Sequence, residues 1–119
     1  RLIDAVHLRL THSGTAVLVT HGTGDAGLFT GILVRYLAQA AVSPTLPDPQ
    51  RDMAGAMVSA TAEALWAGRA KRGQRTVFSP HPLEPAERHY PGRTGVGLST
   101  QLSAWIILEA AARVRRGNA

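Results

Sequence analysis

Residues 17–27, VLVTHGTGDAG, constrain the fold more than any other stretch of this 119-residue sequence. A β-branched, apolar run (residues 16–20) ends abruptly in a histidine set among glycines. Short apolar runs bounded by glycine read as buried strands. Gly22, Gly24 and Gly27 let the chain turn and bring backbone N–H groups close to a ligand. Asp25 stands where it can cap the helix that follows. The loop therefore combines an imidazole (His21), backbone N–H donors at a helix N-terminus (Gly22, Gly24) and two threonine hydroxyls (Thr20, Thr23). This set suits an oxyanion or a phosphate. The plain structural alternative is a strand-to-helix turn with Asp25 as N-cap and His21 as a satisfied core histidine.

Downstream, residues 28–41 read as a helix with Leu28, Ile32, Leu33, Tyr36 and Leu37 on one face. SPTLPDP (residues 43–49) is a proline-broken loop. Residues 53–69 read as a second helix, with Met57, Ala60, Ala64 and Leu65 sharing a face. GRAKRGQR is a basic turn, and Thr76, Val77 and Phe78 form a short strand. SPHPLEPAERHYPG carries four prolines and is expected to be irregular. Residues 96–98 fit a strand end. Residues 101–115 stay open: AWIILEA suits a buried strand and LEAAARVRR a helix. Residues 1–10 are a short helix or a strand. Strands alternating with helices give a single α/β domain over residues 1–119, a layered sheet with helices. In such folds ligands sit beyond the carboxyl ends of the strands.

The hydrophobic fraction of 45% is enough for a core, and the charged fraction of 18% argues against disorder. The net charge is +5, almost all from arginine, because Lys71 is the only lysine. The basic clusters at residues 69–75 and 113–116 read as solvated helix ends, where cations favour the dipole. No aromatics interleave them, so no nucleic-acid partner is expected. Without cysteine, disulfides, thiolate metal sites and a cysteine nucleophile are excluded. No two histidines stand at i, i+4 on a helix, so neither a metal nor a cofactor is expected. No apolar run reaches the roughly 18 residues of a membrane span. A cytoplasmic, membrane-free protein is the expectation, with Arg1 in place of an initiator methionine.

AVLVTHGTGD resembles the strand and loop of the β-ketoacyl synthases, the condensing enzymes of polyketide and fatty-acid synthesis, whose thiolase-type fold carries an EAHGTGT stretch. AGAMVSATAEALWAGR stands where that family has a GHxxGAAG turn and an alanine-rich helix. FSPHPLEPAERHYPG follows in place of its proline-rich segment, and VGLSTQLSAWIILEA is similar to its final FGFGGTNAHVILEEA. The resemblance implies a thiolase-like half-domain acting on an acyl thioester or acyl carrier protein. His21 would be its catalytic residue, donating to the thioester oxygen, and Gly22, Thr23, Gly24 and Asp25 would bind substrate. The family's second catalytic histidine falls at Ala56, its last glycine pair near Ser99 and Thr100, and its cysteine lies in a half this chain lacks. A degenerate, non-catalytic relative is implied, or an acyltransferase subunit in a homo- or hetero-oligomer with a cysteine-bearing partner. GTGD before an apolar helix also resembles the anion-hole turn of ribokinase-like and pyridoxal kinases, which implies a phosphate-binding fragment with Asp25 as base. VTHGT with GAMVSATA resembles L-asparaginases, though Gly24 breaks their HGTDT pattern. The remaining alternative is a binding module without chemistry.

Overall fold

The computed structural model describes residues 2–20, 24–90 and 97–117, the side chains of residues 24 and 25 apart. Three long helices carry the fold. They are α2 (Phe29–Ala41), α3 (Asp48–Ala67) and α5 (Leu98–Gly117). A short N-terminal helix, α1 (Leu2–Arg9), lies against α3, and a 3-10 helix (Gly24–Leu28) leads into α2. The remaining elements are a two-stranded hairpin, β1 (Ala70–Arg72) with β2 (Arg75–Val77), and a four-residue helix, α4 (Ala86–His89).

The expected layered sheet and thiolase-like half-domain are not what the chain forms. Its one sheet among the described residues is the antiparallel pair β1 and β2, three residues long on each side. The run at residues 16–20 makes no ladder. It pairs with the chain just before it, through one antiparallel bridge between Thr11 and Leu18. The His12 N–H donates to the Val17 carbonyl (2.9 Å) and the Val19 N–H to the Leu10 carbonyl (2.7 Å). Gly14, at a φ of +76°, makes the tight turn that allows this pairing. Leu18 is fully buried, and its N–H donates to the Thr61 hydroxyl of α3 at 3.0 Å. The β-branched run is therefore a core plug held by a helix side chain, not a strand of a sheet.

The segment left open between strand and helix is α5. Its buried residues are Thr100, Ser103, Ala104, Ile107, Ala110, Ala111 and Val114. These recur at intervals of three and four, the signature of a helix face. Ile106 and Ile107 give the sequence its strand-like look, but only Ile107 is on the buried face, which is otherwise mostly small and hydroxyl side chains. Helix α3 begins five residues earlier than expected, with Pro49 in its first turn, where a missing N–H costs nothing. In α2 the buried face is Thr30, Gly31, Val34, Leu37, Ala38 and Ala41. The expected face was rotated from this one, since Ile32 and Tyr36 are exposed.

Small residues set how the helices meet. Gly31 of α2 faces Ser103 of α5, and a Cβ on Gly31 would stand 3.0 Å from the Ser103 Cα. At the other end Gly117 faces Val42, so α2 and α5 run parallel. Gly55 of α3 approaches Ala41 and Val114, which places α3 antiparallel to both. Val34, Leu37, Met57, Val58, Leu65, Phe78 and Ile107 fill the space between. The side-chain amide of Gln101 then ties the hairpin to α5, accepting from the Phe78 N–H (2.8 Å) and donating to the Phe78 carbonyl (2.9 Å).

Alanine is the better helix former by up to about 1 kcal/mol, yet at Gly31 it meets backbone that cannot move without shifting α5. Overpacking costs about 1–3 kcal/mol. Gly31→Ala is therefore expected to lower the thermal midpoint despite its propensity gain; an unchanged or raised midpoint contradicts the packing. Thr61→Val is expected to cost about 1–3 kcal/mol by stranding the Leu18 N–H, measurable by urea unfolding.

Candidate functional site

The segment that plugs the core delivers Thr20 to the proline-rich stretch. Its hydroxyl donates to the Pro80 carbonyl. His21, Gly22 and Thr23 lie outside the described residues. Gly24 and Asp25 open the 3-10 helix, and the residue capping α2 is Leu28, without a side-chain hydrogen bond. The expected Asp25 cap on a helix starting at residue 28 is thus displaced by an intervening turn. Thr20, Gly27, Ser79, Pro80, Thr100 and Ser103 border a small crevice beside this loop. The Thr100 hydroxyl is buried there without a hydrogen-bond partner among the described residues.

Next to Pro80 the fold gathers histidines that the sequence spreads over 78 positions, from His12 to His89. The rings of His12 and His81 are 4.9 Å apart, tilted by 34°. The Nδ1 atom of His81 accepts from the Leu83 N–H at 3.3 Å, which leaves Nε2 to face Glu84 Oε2 at 3.7 Å. The other carboxylate oxygen of Glu84 meets His89 Nε2 at 2.9 Å and Arg88 at 3.8 Å. Sequence reading placed His81 and His89 in an irregular loop and His12 beside a turn, and assigned them no role. Their spacing carries no helical or strand periodicity, so only the tertiary structure joins them.

The electrostatics say what this cluster can do. Hydrogen bonding from His89 is the main cause that holds the Glu84 carboxyl below its ordinary range, with His81, His89 and Arg88 adding Coulombic attraction and burial opposing them. Burial, with His81 adding like-charge repulsion, holds His12 below the usual histidine value. A general acid for glycosidic or acyl chemistry needs a raised carboxyl pKa, and Glu84 is shifted the other way. The cluster therefore serves as a clamp on the proline-rich segment. No group of three or more metal-ligating side chains assembles among the described residues.

No family's sequence profile matches this chain, and no curated protein matches it. Solved structures do. The GH76A alpha-1,6-mannanase from Salegentibacter sp. HEL1_6 is 36% identical with a TM-score of 0.76, over 94% of this chain and 31% of the mannanase. An inactive variant of that enzyme with two neighbouring aspartates changed to asparagine, in complex with alpha-1,6-mannotriose, aligns at 35% identity and 0.75 over the same shares. A second inactive variant, with alanines at those positions and alpha-1,6-mannotetrose bound, aligns at 36% and 0.74. The chain spans about a third of the length of the structures it matches.

These findings overturn the ketosynthase resemblance. The neighbours are helical glycan-degrading enzymes, and the fold has no thiolase-type sheet on which an acyl-thioester site is built. The expectations of an acyl carrier protein, an acyl thioester and a cysteine-bearing partner fall with it, as does the phosphate-binding alternative. The four stretches that carried the resemblance share an outline of apolar and small residues with condensing enzymes. In this chain the second and fourth of them lie mainly in the packed helices α3 and α5.

The pH dependence of stability follows from the clamp. A pKa depressed in the folded protein contributes stability above the unfolded value and loses it as pH falls. The His12 contribution is expected to decline below its ordinary 6.5 and that of Glu84 below 4.5. Thermal melting across this range should show two successive acid losses, and His12→Phe should remove the upper one. A midpoint that rises between pH 6.5 and 5.5 contradicts the assignment.

Proposed function

We propose that this chain is part of a glycoside hydrolase acting on α-1,6-linked mannan, and that its residues hold the glycan. The observation that carries the reading is joint likeness in sequence and fold to an α-1,6-mannanase along nearly the whole chain. Glycoside hydrolysis uses a pair of carboxyl groups, one of them an acid with a raised pKa. In the mannanase, replacing two neighbouring aspartates gives an inactive protein. The present sequence contains no two adjacent aspartates. Of its described carboxylates, Glu84 is committed to the histidine clamp and Asp48 is paired with Arg51 on the surface. The role assigned to these residues is accordingly substrate binding. The loop of His21, Gly22, Thr23, Gly24 and Asp25, dense in hydrogen-bonding groups and leading into α2, belongs to the glycan-contacting surface on this reading.

Binding to the folded state raises the melting temperature by mass action. The purified protein is expected to melt higher with increasing α-1,6-mannotriose and to ignore maltotriose, a trisaccharide of different sugar and linkage. A midpoint indifferent to α-1,6-mannotriose overturns the proposal, and so does an equal response to both sugars.

A further inference from the structure

The histidine clamp leaves unexplained a groove between α3 and α5 that is walled by the two tryptophans of the sequence. It has a volume of about 490 Å³, within the range of small-ligand sites. Ser59, Glu63 and Trp66 form one wall, a stripe at helical spacing on α3. Trp105, Leu108 and Arg115 of α5 form the other. Both tryptophans are about half exposed, Trp66 at 47% and Trp105 at 51%. Leaving indole surface in water is costly.

The two indoles are nonetheless fixed from behind. Phe78, fully buried, stands between them: its ring centroid is 6.4 Å from that of Trp66 and 5.2 Å from that of Trp105, edge-on to the latter. The Arg69 guanidinium lies 3.9 Å from the Trp66 ring centroid, a cation–π contact that holds that ring further. Phe78 is in turn pinned to α5 by the double hydrogen bond to Gln101. The platform is preorganised, which removes much of the ordering cost of binding.

The polar groups of the groove are unspent. Glu63 and Arg115 are both exposed and make no ion pair or hydrogen bond with another described residue. A helix docking here would have to bury or displace these charges. A pyranose instead presents an apolar C–H face ringed by hydroxyls. The face matches an indole plane, and the hydroxyls match a carboxylate acceptor, a guanidinium donor and the Ser59 hydroxyl.

We propose that the Trp66–Trp105 groove binds an α-1,6-linked mannooligosaccharide by stacking sugar rings on the two indoles, with Glu63 and Arg115 reading the hydroxyls. The sugar class rests on the functional reading above; the site rests on the groove itself. The indole Nε1–H NMR signals of Trp66 and Trp105, each assigned by its loss in the corresponding Trp→Phe variant, report on this groove. Titration of the whole protein with α-1,6-mannotriose is expected to change the fluorescence saturably and move both indole signals. Trp105→Ala should weaken binding about tenfold or more. Glu63→Gln, at an exposed helix position that leaves folding intact, should weaken it severalfold. If the melting temperature responds to the sugar while both indole signals stay still, or if both variants bind like the parent, the groove assignment is overturned and the functional reading stands. If the parent shows no melting response, the functional reading fails as well. Self-association that shields the indoles and is abolished by Trp105→Ala, without a sugar response, assigns the groove to a second copy and overturns the proposal.

Discussion

The close approach of α2 and α5 at Gly31 and Ser103 is the constraint on which the rest of the structure depends. With no side chain on Gly31 and only a serine opposite, two parallel helices come near enough for Val34, Leu37, Ala38, Ala104, Ile107 and Ala111 to close a shared core. Helix α3 then lies antiparallel against both and offers Thr61 to the buried N–H of Leu18. That one hydrogen bond explains why an extended, β-branched run can sit in a helical protein. Its backbone polarity is satisfied by a helix side chain where a sheet would have used a neighbouring strand.

From this frame the functional features follow in order. The plug at Leu18 leads to Thr20, which anchors to Pro80, and Pro80 sets the start of the segment in which His81, Glu84 and His89 lock together. Gln101, two residues before Ser103, grips Phe78 through both its amide atoms. Phe78 contacts both tryptophan rings.

Much of the helical part was legible in the sequence and most of the architecture was not. Helix α2 was readable because its apolar residues repeat at helical spacing and a glycine-rich turn precedes it. Its buried face was not, because apolar residues such as Ile32, Tyr36 and Phe29 also crowd the opposite side, so hydrophobicity alone does not choose between them. Helix α5 was ambiguous because Ile106 and Ile107 stand side by side, while most of its buried face, apart from Ile107 and Val114, is Thr100, Ser103 and alanines, which score weakly on any apolar count. The run at residues 16–20 reads as a buried strand, but only Val17 and Leu18 are buried and its one bridge is to the chain just before it. A five-residue pattern cannot tell a hairpin plug from a sheet strand, and the layered fold and the condensing-enzyme resemblance both rested on that step. The tryptophan groove and the His12–His81 contact left no readable pattern, because each joins segments far apart in the chain; the ion pairs of residues 81–89 are local but follow no regular period.

The central claim is that this helical framework serves the cleavage of α-1,6-linked mannan. Product analysis tests it most directly, with the natural polypeptide that contains these residues incubated separately with α-1,6-linked and β-1,4-linked mannan. The account requires new reducing ends and shorter α-1,6-mannooligosaccharides from the first and none from the second. Intact α-1,6-mannan, with cleavage of the β-linked polymer or of neither, would contradict it.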